Sequence, residues 1–87
     1  MLSLYWTKKT FKQMSELPRI ISKQIFTHVN YLQIQPFSPN LDIKKMAGQP
    51  WLRLRVGDYR IVFQIDKEEQ RIIILFVGHR NNVYKRI

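Results

Sequence analysis

The chain is expected to fold as an α+β domain, an antiparallel sheet with two N-terminal helices packed on one face. Three observations predict it. Apolar residues in the first half recur every three or four positions, and in the second half they alternate before a last, nearly continuous apolar run. The breaks between segments are Pro-rich in mid-chain and Gly-Asp or acidic later. The expected order is β-α-α-β-β-β, in one domain spanning residues 1–87.

"LSLYW" at 2–6 is short, apolar and aromatic, and reads as a first strand. Thr7 is placed to N-cap a helix carrying Phe11, Met14 and Leu17 at threefold spacing. Pro18 ends that helix and suits the start of the next. Ile21, Ile25, Val29 and Leu32, with Phe26 beside them, form its apolar stripe, and "QPFSPN" at 35–40 is a loop. "WLRLRV" then puts Leu52, Leu54 and Val56 on one face and Trp51, Arg53 and Arg55 on the other. "YRIVFQI" opposes Tyr59, Ile61, Phe63 and Ile65 to Arg60, Val62 and Gln64. "RIIILFV" is almost continuously apolar, as in a strand covered on both faces.

Composition narrows the function classes. There is no cysteine, so neither disulfides nor thiolate metal sites are available. No metal site and no cofactor are expected. The run "IIILFV" is too short to span a bilayer, and the first residues lack the pattern of a signal peptide. The expectation is a soluble cytoplasmic protein with no membrane role. Fifteen Lys and Arg against six Asp and Glu give a net charge of +9. That imbalance favours a polyanionic partner. Between Lys44 and Arg60 there are five bases and one acid, Asp58.

The pair Gly57-Asp58 suits a two-residue type II′ turn, where the first position needs a positive φ. Val56 then faces Tyr59, Arg55 faces Arg60, Leu54 faces Ile61 and Arg53 faces Val62. The apolar sides coincide, and Arg53, Arg55 and Arg60 are left together on the side away from the helices. Like charges opposite one another repel. They could be solvated edge residues, but a bound polyanion would relieve the repulsion, so the face reads as a phosphate platform. After the last strand, "VGHRNNVYKRI" brings His79, Arg80 and Tyr84 in quick succession.

"RLRVGDYRIVFQID", "ILFVGHR" and the following "VY" resemble the RelE-type toxins of the RelE/ParE toxin–antitoxin superfamily. "IKKMAGQPW" resembles that family's Lys-Leu-x-Gly segment, with Met46 at the Leu position. The likeness covers essentially the whole chain and is strongest over 44–84. It implies a RelE-like fold and a ribosome-dependent mRNA endoribonuclease, or mRNA interferase, that cuts in the A site and inhibits translation. By position, Arg60 and Arg80 match phosphate-contacting arginines and Tyr84 an aromatic that stacks on a base. Arg53 and Arg55 match basic positions on the strand before the turn. Partners implied are mRNA, the ribosome and a cognate antitoxin with an acidic toxin-binding segment.

The implied chemistry is attack of a ribose 2′-hydroxyl on the adjacent phosphorus. Arginine stays charged throughout and can clamp the non-bridging oxygens bidentately. The catalytic set is therefore Arg60, Arg80 and Arg53, with Tyr84 and His79 as candidates for proton transfer. Histidine is the side chain whose ordinary titration falls near neutrality, but along a regular strand His79 points away from Arg80. Arg55, Lys44, Lys45 and Trp51 are expected to bind the RNA strand. The alternatives are a ParE-like DNA gyrase inhibitor and a non-catalytic or inactive nucleic-acid-binding relative.

Overall fold

The computed structural model describes residues 1–83. Its elements are β1 (Ser3–Trp6), α1 (Lys8–Ser15), α2 (Arg19–Ile34), β2 (Asp42–Lys45), β3 (Leu52–Val56), β4 (Tyr59–Asp66) and β5 (Arg71–His79). The five strands form one sheet in the order β1-β5-β4-β3-β2.

The helices start where their caps allow. The Thr7 side chain accepts from the Thr10 backbone N–H at 3.1 Å, and the Thr10 hydroxyl donates to the Thr7 carbonyl at 3.0 Å. Pro18, with φ −53°, is the N-cap of α2, and its carbonyl accepts from the amides of Ile21 and Ser22. Ile25, Val29 and Leu32 of α2 are fully buried against Leu54, Ile61, Phe63, Ile72 and Ile74 of the sheet. Each such side chain contributes roughly 1.5–3 kcal/mol. Phe11 departs from the expected stripe: it is 72% exposed, while Met14 alone of the α1 apolar residues is buried. An eight-residue helix lying along the sheet edge turns only a narrow strip inward.

The hairpin has the expected register, with Val56 opposite Tyr59 and Arg55 opposite Arg60. Gly57 has φ +59° and Asp58 is not among the positive-φ residues, which is the II′ combination. The sheet is larger than the sequence suggested and is mixed. Asp42–Lys45, in a stretch assigned to no element, forms the edge strand β2 antiparallel to β3. β1 pairs parallel with β5, Ser3 beside Arg71 and Trp6 beside Ile74. No hairpin joins these two strands, so nothing ties them to the antiparallel sense.

β1 covers only the first half of β5. Beyond Trp6 the β5 edge is closed by α1, where the Gln13 side-chain oxygen accepts from the Val77 amide at 2.8 Å. β5 also carries a bulge: Phe63 pairs with Ile74 but Val62 pairs with Phe76, leaving Leu75 as the extra residue. Ile72 and Ile74 face the helices, and after the bulge Val77 does so while Phe76 turns to the opposite face. There Phe76 joins Val62 and Val83 in a second small core, flanked by Met46, Trp51 and Leu75.

Candidate functional site

The face away from the helices carries Arg53, Arg55 and Arg60, and the ladder fixes how they meet. Arg55 and Arg60 are direct cross-strand partners, and Arg53 lies two residues along β3, opposite Val62. Arg80 follows β5, and its amide donates to the Asp58 carbonyl at 2.8 Å, drawing it to the hairpin turn. The turn carbonyl of Gly57 gathers two guanidinium groups: Arg60 Nη1 donates to it at 3.0 Å and Arg55 Nε at 3.4 Å. Arg60 Nη1 also donates to its neighbour's carbonyl, Tyr59, at 2.9 Å. Partial burial, then Arg55, Arg53 and Arg80 in that order, hold the Arg60 pKa below its ordinary value. Asp42 acts in the opposite sense. Arg60 is thus the centre of a four-arginine cluster that two backbone carbonyls orient.

The bulge at Leu75 decides which side chains reach this face. In an unbroken strand, residues 76, 78 and 80 would continue on the helix side with Ile72 and Ile74. One extra residue reverses the phase, so that Gly78 pairs with Arg60 and His79 with Tyr59. Gly78 also makes room for Phe76. A Cβ at this position would lie 2.7 Å from Phe76 Cζ and 3.1 Å from its Cε1.

His79 is separated from the arginines. It is half-buried, stands edge-on to the Tyr59 ring with centroids 5.6 Å apart, and accepts from the Asn81 amide at Nδ1 in the tautomer that leaves this nitrogen bare. The same cleft is lined by Gln13, Glu16, Leu17 and Pro18, which belong to the helical side. Tyr84 lies outside the described residues. Val83, just before it, is buried on Val62 and Phe76, so the chain turns back across the basic face after β5.

Lys44 is opposite Arg53, Lys45 is opposite Leu52, and both are exposed. With Met46, Gln49, Trp51 and Arg53 they line a cleft of about 460 Å3 at the end of the β2–β3 pair. Asp42 was missed by sequence reasoning, which placed no acid but the turn's Asp58 near the arginines. It stands opposite Arg55 because residues 42–45 form a strand. The only signal was the tetrapeptide "DIKK", one residue beyond the Pro- and Asn-containing loop. On the helical side, Trp6, Phe11, Met14, Leu17 and Phe26 line a separate apolar groove of about 410 Å3.

Among the described residues, no helix is long and apolar enough to cross a membrane. The family model described as "ParE toxin of type II toxin-antitoxin system, parDE" matches residues 4–84. Toxin RelG of Mycobacterium tuberculosis is 30% identical over 70 residues, covering 79% of this chain and 78% of that protein. A chain of the RelB–RelE antitoxin–toxin complex from Methanococcus jannaschii superposes with a TM-score of 0.76 at 30% identity, over 98% of this chain and 96% of that one. The intact E. coli RelBE toxin–antitoxin complex contains a similar fold, with a TM-score of 0.79 at 18% identity over 91% and 96% of the two chains. A family match across almost the whole sequence, on a fold shared with RelE toxins, makes this chain a member of the RelE/ParE superfamily of type II toxin–antitoxin toxins.

Proposed function

We propose that this toxin is an mRNA endoribonuclease that acts in the ribosomal A site, with the four-arginine face as its phosphate clamp. The observation that carries the reading is Arg60, held by two carbonyls at the meeting point of Arg53, Arg55 and Arg80. Four cations drawn together repel one another, an effect Asp42 offsets in part, and a bound anion relieves it further; the phosphorane of RNA cleavage is the most highly charged species on that path. The 2′ oxygen forms a bond to phosphorus, the bond from phosphorus to the 5′ oxygen breaks, and a 2′,3′-cyclic phosphate remains. The 2′ proton leaves to solvent and a proton reaches the departing 5′ oxygen. Arg60 and Arg80 hold the non-bridging oxygens, and Arg53 and Arg55 add field, so electrostatic stabilisation is the main source of rate. Tyr84 stacks on a base. His79, facing the helices, takes no part, and His79→Gln keeps the wild-type pH–rate profile.

The partner that restrains the toxin is a cognate antitoxin whose acidic segment covers this face. RelE toxins are found with RelB antitoxins in the M. jannaschii and E. coli complexes, and a net charge of +9 complements such a segment. A second reading, inhibition of DNA gyrase, is favoured by the ParE description of the matching family. It gives the arginine cluster no task.

Primer extension on a defined mRNA in a purified translation system separates the two. Cuts at A-site codons that fall by roughly 10²–10³ in rate in Arg60→Ala and Arg80→Ala are expected. Intact mRNA together with inhibited supercoiling would overturn the proposal in favour of gyrase.

A further inference from the structure

The cleft at the end of the β2–β3 pair has features that a phosphate clamp does not require. Its rim is a type II turn over Met46–Gln49, closed by the Gln49 amide donating to the Met46 carbonyl at 3.2 Å. Gly48 sits at the third position with φ +73°, where a side chain would be strained. A further bond, from the Met46 amide to the Trp51 carbonyl at 3.0 Å, ties the turn to the base of β3. The loop is therefore held to both of its strands. It frames a space of about 460 Å3 whose lining combines the half-buried Trp51, the Met46 thioether, the Gln49 amide and the cations Lys44, Lys45 and Arg53.

We propose that this cleft is a nucleobase pocket for a nucleotide flanking the scissile phosphate. Trp51 supplies the stacking surface, Gln49 reads the edge of the base, and Lys44, in phase with Arg53, holds the adjoining phosphate. The proposal rests on the arginine face being an RNA clamp. Aromatic rings stack on any base, whereas an amide side chain offers both a donor and an acceptor and so discriminates. Trp51, immediately before β3, stands four residues from Arg55 in the same phase, about 14 Å at ~3.4 Å per residue. A strand lying along β3 thus meets the arginines and the pocket in succession. Pockets built only for phosphate need cations and amides; this one has an indole and a thioether facing the same space. Val83 also lines it, so the segment after β5 forms part of the wall.

The test uses 2′-O-methyl RNA hexamers, which cannot be cleaved by 2′ attack, and the same hexamers with abasic sites. The chain has two tryptophans, Trp6 and Trp51, so in a Trp6→Phe background Trp51 is the sole indole reporter. The intact hexamer is expected to quench Trp51 emission, and the abasic one to bind without quenching. Trp51→Ala should bind the intact hexamer roughly tenfold more weakly, with Trp51→Phe near wild type. Gln49→Ala should leave the affinity for a preferred sequence closer to that for others. Equal quenching by intact and abasic hexamers, or no change in Trp51→Ala that keeps the wild-type melting temperature, would overturn the pocket. If Arg60→Ala binds the abasic hexamer as tightly as wild type does, the clamp itself is refuted and the pocket falls with it. Loss of binding in Arg60→Ala without any Trp51 effect leaves the clamp standing and removes only the pocket.

Discussion

Replacing Gly78 by alanine probes the floor of the arginine face at its tightest point. The added methyl would stand 2.7 Å from Phe76 Cζ and 3.1 Å from Cε1, well inside van der Waals contact. The Phe76 ring is 1% exposed and packs with Val62 and Val83, so it has no free space into which to swing. Overpacking of this kind costs about 1–3 kcal/mol. Glycine to alanine in a strand otherwise gains a few tenths to 1 kcal/mol through the unfolded chain, roughly. The net expectation is a loss of about 1–2 kcal/mol, which lowers the melting temperature of a domain this size by roughly 4–15 °C. Urea unfolding of the single variant and of Gly78→Ala in a Phe76→Leu background measures the clash by itself. In that background the alanine should cost nothing, giving a coupling of about 1–2 kcal/mol between the two positions. Because Gly78 is the cross-strand partner of Arg60, RNA binding should weaken alongside stability. An equal cost of the alanine in both backgrounds would refute the reasoning, since the ring would then not be the obstacle.

Two further outcomes follow from the β5 edge and from the bulge. Gln13→Ala leaves the Val77 amide without its 2.8 Å acceptor at a covered sheet edge, and should cost about 1–3 kcal/mol. Thermal unfolding measures this, and faster amide exchange at Val77 localises it. Deleting Leu75 removes the surplus residue, so Phe76 follows Ile74 directly and residues 76, 78 and 80 keep the face they have with the bulge. The variant that still folds should then bind polyanion as wild type does, measured by fluorescence anisotropy with a labelled RNA; a loss as complete as that of Arg80→Ala would show that Leu75 is not the surplus residue that sets the phase.

The hairpin was legible in the sequence because two independent constraints agree there. Strict alternation on both sides of Gly57-Asp58 lets only one register bury Leu54, Val56 and Ile61 together. Likewise Ile25, Val29 and Leu32 betray the inner face of α2 by spacing alone. Elsewhere the signal was absent. β2 is four residues long, with Asp42 and the two lysines exposed, so edge pairing with β3 rather than hydrophobic patterning makes it a strand. That hid Asp42 from the arginines it faces. In "IIILFV" every residue is apolar, so any phase would bury the strand and nothing in the letters reports the bulge. The faces of His79 and Arg80 therefore followed from a packing decision several residues upstream, made where Phe63 and Val62 choose their partners. Phe11 illustrates the converse error: helical spacing shows which residues share a stripe, but a short helix at an edge need not bury all of it.

The parallel pairing of β1 with β5 has a consequence in time. During synthesis Ser3–Trp6 emerges first, yet its partner Arg71–Ile74 comes after every other element. Loop closure over such a separation must be met before the contact returns any free energy. The β3–β4 hairpin can form early, but Arg80, immediately after β5, joins Arg60 only when this final strand docks. A nascent chain thus carries its arginines scattered through most of its translation. They come together in one late step, when the last strand takes its place between β4 and β1.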